Sequence, residues 1–172
     1  MVPRIGKILY ATDLSKNSVY AFRYAAKMAE EYDAAIIILH VIEPIPSIAK
    51  RDMKIFVDEA KWEEKIKYEQ DLAIDRIKKR LQEFCRQEAQ EAPRCVARVT
   101  SILVRPGYPV EEILKAADEK DCSMIALGTH GKGFLRQTFL GSVARSVLER
   151  ADRPVFIVPL PYKETGGTIG DI

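Results

Sequence analysis

Apolar residues along the chain fall into short β-branched runs separated by longer stretches in which they recur every three or four positions. Lys7-Ile8-Leu9-Tyr10-Ala11 is the first run; it ends at the polar pair Thr12-Asp13 and predicts a buried strand that empties into a loop. From Ser15 onward Val19, Phe22, Ala26 and Ala29 repeat at helical spacing, predicting a helix to about Tyr32 with Asp13 or Ser15 placed to cap its first amides. Ala35 to Ile42 is apolar on both faces, as a strand sandwiched between helices is, and Glu43-Pro44-Ile45-Pro46 ends it. Residues from Asp58 to Glu91 lack glycine and proline, and Trp62, Ile66, Ala73, Ile77, Leu81 and Phe84 form a narrow apolar stripe on a long, mostly solvated helix. The connection before that helix holds Ile48, Met53, Ile55, Phe56 and Val57, either a cover over a pocket or a subunit contact.

The second half repeats the alternation. Val96 to Val104 predicts a third strand, stopped by Arg105-Pro106-Gly107, and Val110, Ile113, Leu114 and Ala117 trace a helix that begins near Pro109, where proline is tolerated. Ser123 to Leu127 predicts a fourth strand, Gly141 to Ala151 a helix with Val143, Val147 and Leu148 inward, and Pro154 to Pro159 a fifth strand fenced by prolines. The order βαβαβαβαβ over residues 1–162, without internal repeat or linker, predicts one doubly wound α/β domain: parallel strands, right-handed crossovers and helices on both faces of the sheet. Lys163 to Ile172 is expected to be a disordered tail. In such sheets ligands bind outside the carboxyl ends of the strands, beside the point where strand order reverses, so the loops after strands one, two and four are the places to look.

Composition removes several classes of function. Lysine plus arginine (27) against aspartate plus glutamate (25) leaves +2, with signs interspersed, so nothing electrostatic favours nucleic acid or an anionic membrane. No apolar run approaches the roughly 18 residues of a membrane span. Cys85, Cys95 and Cys122 are widely spaced, form no C-x-x-C pair and follow no leader-like segment, which predicts a reduced, cytoplasmic protein. With His40 and His130 the only histidines, a metal is expected only in company with a ligand. His40, inside an apolar strand, reads as a hydrogen-bonded core histidine.

Glycine marks the candidate site. Four of the nine glycines, Gly128, Gly131, Gly133 and Gly141, lie between the fourth strand and the following helix. Glycines there allow the backbone to approach closely, successive N–H groups can converge on an anion, and the helix N-terminus adds a favourable dipole. Lys132 and Arg136 supply charge, and the Ser142 hydroxyl can meet a phosphate oxygen or a bound Mg2+. The alternative is a flexible turn with a serine N-cap. The Walker A pattern and the dinucleotide fingerprint are both absent, and the loop after strand one, Ala11-Thr12-Asp13-Leu14-Ser15, has no glycine with which to wrap phosphates. Asp13 is either a helix cap or a ligand contact at the switch point.

Gly128-x2-Gly131-x9-Gly141-Ser142 resembles the G-2x-G-9x-G-[S/T] signature of the ATP-binding branch of the universal stress protein family. The resemblance extends to Tyr10-x-Thr12-Asp13-x-Ser15, Leu39-His40-Val41, Arg105-x-Gly107-x-Pro109 and Arg153-Pro154-Val155, and so covers nearly the whole chain. It implies a 3-2-1-4-5 parallel sheet, with adenine near the ends of strands one and two and the triphosphate in the glycine loop. By position, Asp13 would bond the ribose or base beside Ala11 and Thr12, the Val41 backbone would meet the adenine edge, and Gly107 would lie close to the nucleotide. Gly128, Gly131, Gly141 and Ser142 would bind phosphates, with Lys132, Gly133 and Val143 alongside and His130 lining the pocket. Ala11 departs from a frequent proline and Phe134 from a common small residue.

These features together predict a protein that binds ATP with Mg2+ and acts as a nucleotide-dependent regulatory switch in the stress response, with slow hydrolysis at most. A nucleotide-free interaction module or chaperone-like dimer is the alternative, and an ATP-using enzyme with its own substrate a more distant one. An apolar last strand at a sheet edge invites pairing with another chain, and a homodimer through Val155 to Val158 is expected.

Overall fold

The computed structural model describes residues 3–15, 18–44, 59–129 and 140–159. Five strands, β1 (Lys7–Thr12), β2 (Ala35–Ile42), β3 (Val99–Pro106), β4 (Met124–Gly128) and β5 (Val155–Val158), form one sheet in the order β3-β2-β1-β4-β5. Every pairing is parallel. The helices are α1 (Ser18–Glu31), α2 (Glu59–Glu91), α3 (Pro93–Val96), α4 (Pro109–Glu119) and α5 (Ser142–Arg150). The chain builds outward from β1 to β3, then returns to the other side of β1 for β4 and β5. The carboxyl ends of β1 and β4 therefore flank the point at which the order reverses.

The central strands are largely apolar because each face meets helices. Ile8 and Tyr10 of β1 join Val19, Phe22, Ala26, Leu81 and Phe84 on the α1/α2 face. Leu9 joins Ile37, Leu39, Ile113, Ala117, Ile125 and Val147 on the α4/α5 face, with Ala11 packed at its edge. Period-two alternation thus splits one run between two cores. On the first face Tyr10, Phe22 and Phe84 stack edge to face, with ring centroids 5.6 and 5.1 Å apart.

Helix α2 has 33 residues, about 50 Å at 1.5 Å per residue, whereas β2 spans about 26 Å. Only part of the helix can lie on the sheet. Leu81 and Phe84 are buried and Ile74, Ile77 and Cys85 pack beside them, all from the middle of the helix onward. Arg23 of α1 holds that part by a bidentate pair to Glu88, at 2.9 Å for each bond.

Several boundaries differ from the sequence expectation. The segment expected to open the third strand at Val96 is helical through Val96, and β3 starts at Val99 and runs on through Pro106. Pro93 sits in the first turn of α3, where its missing N–H is not needed, and Cys95 and Val96 pack against the α1/α2 core, which outweighs their strand preference. At the other end, Arg105 and Pro106 continue the ladder opposite Val41 and Ile42. Helix α1 is described from Ser18, whose amide and hydroxyl both donate to the Ser15 carbonyl, at 3.0 and 2.6 Å. In α5 the inward positions are Ala144 and Val147, while Leu148, expected inside, is half exposed. One residue beyond Val147, it has already rotated off the buried stripe.

Arg153 fixes the last strand. Its guanidinium donates to the carbonyls of Ala117 and Cys122, each at 2.9 Å, and pairs with Asp118 and Asp152, so the end of α4 is tied to the start of β5. Residues 45–58, which carry the apolar connection from Ile48 to Val57, and the tail Lys163 to Ile172 lie outside the described residues. Among the described residues no helix is long and apolar enough to cross a membrane.

Candidate functional site

The carboxyl edge of the sheet brings together most of the residues singled out by sequence. Ala11, Thr12 and Asp13 end β1, Val41 lies near the end of β2, Gly107 follows β3, and Gly128 closes β4. Gly141, Ser142 and Val143 begin α5 on the same edge. Ala11, Val41, Leu140 and Val143 all pack against the α4/α5 core, placing apolar side chains along that edge. His130, Gly131, Lys132 and Gly133, with Phe134 and Arg136, lie outside the described residues.

Side chains hold the turn after β1. The Leu14 amide donates to the Thr12 hydroxyl at 3.1 Å, and the Ser15 amide donates to Asp13 Oδ1 at 3.0 Å. Leu14 has φ 63°, a left-handed conformation that such short-range polar contacts must support. Asp13 therefore organises the turn before α1 and is not the cap of the helix itself. Its second oxygen, Oδ2, is shielded from solvent and has no hydrogen-bond partner. A carboxylate oxygen in that condition costs on the order of 1–3 kcal/mol, which a donor brought by a ligand would recover.

His40 is the registered partner of Thr12 across the β1–β2 pair. Its Nδ1 donates to the Thr12 carbonyl at 2.8 Å, which bears out the hydrogen-bonded core histidine expected from sequence. Gly107 closes the end of β3, with its amide donating to the Ile42 carbonyl at 3.0 Å. It has φ +150°, and a Cβ built there would stand 2.7 Å from Glu112 Cγ. Glycine is required at this position on both counts. Glu112 lies 3.7 Å from Arg105, whose stronger contact is with Glu119 at 2.6 Å. The Arg105 hydrogen bond holds the Glu119 carboxyl below its usual range.

Sequence reasoning passed over Thr129. It is buried, its amide donates to the Val158 carbonyl at 3.0 Å, and its carbonyl accepts the Gly141 amide at 2.6 Å. One residue thus fastens the two ends of the glycine-rich connection to each other and to β5. The signal available was a single polar residue between Gly128 and the glycine run. Gly141 is the N-cap of α5, in extended geometry (φ −64°, ψ 159°). Ser142 is the first helical residue and is solvent-exposed, so the serine N-cap alternative does not hold. With the Gly141 amide committed to Thr129, the open amides of the first turn begin at Ser142.

The sequence profile described as "Universal stress protein family" matches residues 4–159. The chain belongs to the universal stress protein family. Universal stress protein MJ0531 of Methanocaldococcus jannaschii is 32% identical over 161 residues, covering 92% of this chain and 84% of the relative. MJ0577 from the same organism is 29% identical over 164 residues, covering 88% of this chain and 93% of the relative. The solved structure of MJ0577, described as a structure-based assignment of the biochemical function of a hypothetical protein, superposes on this universal stress protein with a TM-score of 0.63 at 27% identity. It covers 94% of this chain and 100% of its own. A universal stress protein solved in complex with cAMP shares the fold at a TM-score of 0.53 and 22% identity, covering 91% of this chain and 98% of its own.

Proposed function

We propose that this universal stress protein binds ATP, together with Mg2+, in the crevice between the ends of β1 and β4, and that occupancy acts as a regulatory switch. The observation that carries the proposal is Asp13 Oδ2, a solvent-shielded carboxylate oxygen without a partner at the point where strand order reverses. A ribose hydroxyl or a base amino group is a donor of the kind that oxygen lacks. Ala11, Val41 and Val143 offer an apolar wall for adenine, with Thr12 and Gly107 bordering it. The G-2x-G-9x-G-S spacing supports phosphate contacts from Gly128, Gly131, Gly141 and Ser142, with Lys132 and Gly133 alongside and His130 lining the pocket, and Ser142 is also suited to Mg2+. The metal would supply charge neutralisation for the triphosphate. This chain's residues would supply the donor set, the apolar wall and the exclusion of water.

The regulatory half of the proposal rests on β5. It lies at the edge of the sheet with Val155, Phe156 and Ile157 only partly covered, an edge that a second copy of the chain would pair by two-fold symmetry. Thr129 joins that strand to the glycine-rich connection, so nucleotide occupancy and dimer formation share a backbone contact. Calorimetric titration of nucleotide-stripped protein with ATP, with and without Mg2+, tests the binding. Micromolar, Mg-sensitive heat is expected; absence of heat, supported by equilibrium dialysis, overturns the proposal and favours an interaction module without nucleotide. Sedimentation equilibrium that returns only the monomer mass at micromolar concentration overturns the dimer.

A further inference from the structure

Tyr10 lies beneath the turn that presents Asp13. Its ring is 1% exposed and its hydroxyl donates to the Ser18 carbonyl at 2.6 Å. Ser18 in turn grips the Ser15 carbonyl through its amide and its hydroxyl, at 3.0 and 2.6 Å. The Ser15 amide occupies Asp13 Oδ1 at 3.0 Å. The links form a chain from the aromatic core to the carboxylate: Phe84, Phe22, Tyr10, Ser18, Ser15, Asp13. On the other flank Thr12 is held by His40, so the turn is anchored from both sides.

We infer that Tyr10 is a positioning residue for the crevice, and that its hydroxyl, acting through Ser18 and Ser15, keeps one Asp13 oxygen committed to the turn and the other available to a ligand donor. The inference rests on the proposed contact between Asp13 and the nucleotide. The ring packing explains why an aromatic residue stands at position 10; it does not call for a hydroxyl. A phenylalanine would keep the edge-to-face contact with Phe22 and lose the hydroxyl's bonds to Ser18 and Thr12. Burial, only partly offset by the hydrogen bonds to Thr12 and Ser18, pushes the Tyr10 phenol above its ordinary range, so the group remains a proton donor across physiological pH.

The test is a double-mutant cycle on the full chain with Mg-ATP as titrant, combining Tyr10→Phe with Asp13→Asn and recording thermal melting for each variant. Asp13→Asn is expected to weaken binding by about tenfold or more, the loss of a hydrogen bond to a charged group. Tyr10→Phe is expected to weaken it by roughly three- to tenfold, and the double variant to bind no worse than Asp13→Asn within about twofold, because the hydroxyl acts only through the carboxylate. A purely structural hydroxyl would lower the melting temperature and leave affinity unchanged well below it. Ser18→Ala cuts the same chain one link later and should show the same non-additivity, which provides a second route if Tyr10→Phe folds poorly. Unchanged affinity in both Tyr10→Phe and Ser18→Ala, or losses that multiply with that of Asp13→Asn, overturns the inference while the nucleotide site stands. If Asp13→Asn itself binds as the parent does, the assigned contact and the inference fall together.

Discussion

Replacing Gly107 with alanine isolates one backbone requirement at the edge of the crevice. Two costs combine. The backbone at φ +150° is rarely adopted by a residue with a side chain, a strain of about 1–3 kcal/mol. The new Cβ would also stand 2.7 Å from Glu112 Cγ and 3.1 Å from Oε1, so the Glu112 side chain must swing aside. In moving it gives up its 3.7 Å approach to Arg105, a pair about one-fifth exposed on either side, for which about 0–1 kcal/mol is expected. The sum is roughly 1–4 kcal/mol, or a fall in Tm of about 2–4 °C per kcal/mol for a chain of this length. Urea unfolding followed by circular dichroism measures the free energy directly, with the slope checked for two-state behaviour. Gly107→Ala introduced into a Glu112→Ala background should cost the backbone part alone, because the approach to Arg105 is already gone there. A single variant within about 0.5 kcal/mol of the parent refutes the strain argument. A Gly107→Ala cost as large in the Glu112→Ala background as in the parent refutes the role given to Glu112.

Leu81→Ala should be more severe than any change on the exposed side of α2, costing about 2–5 kcal/mol in the same assay, because Leu81 is fully buried where the helix meets the sheet. Acid should lower the melting temperature as the carboxyls of Glu30, Glu111, Glu119 and Asp152 are protonated. Their partners Lys27, Arg150, Arg105 and Arg153 hold each below its unfolded value. The stability they contribute is therefore complete above about pH 4–5 and lost as pH falls through the depressed folded values. Arg105→Ala should flatten the Glu119 share of that acid limb in a pH series of melts. Burial pushes the Cys85 thiol up to about 11, so at neutral pH its reaction with a thiol reagent should be slow in the native protein and fast in denaturant; equal rates in both would refute its placement.

Much of the fold was legible because its pattern is repeated and local. The strand expected over Ala35 to Ile42 is β2 residue for residue, and the helix placed near Pro109 begins at Pro109. The 3-2-1-4-5 order came through the resemblance, since alternation alone gives parallel strands and not their sequence across the sheet. What was hidden depends on contacts between distant residues. Helix α3 is four residues long, barely one turn and too short for an apolar repeat to show, and is held by packing against α1 and α2. Leu148 was misplaced by a single step of helical rotation. At the site, Asp13 and Gly107 could be named from motif, but the orphaned oxygen of one and the positive φ of the other emerge only when the turn and Glu112 are in place. Thr129 carried no motif, and its two backbone bonds join segments that sequence cannot bring together.

Those two bonds also bear on how such a scaffold can diversify. With Thr129 bonded to both Gly141 and Val158, the neck between residues 129 and 141 is closed by the sheet and by the first turn of α5, whatever residues lie between. Doubling the length of a flexible connection adds only about 0.6 kcal/mol of closure entropy once its ends are fixed. By closure entropy alone, changes of length between those two anchors cost the sheet little, so the recognition chemistry carried on that segment can vary separately from the architecture that holds its ends.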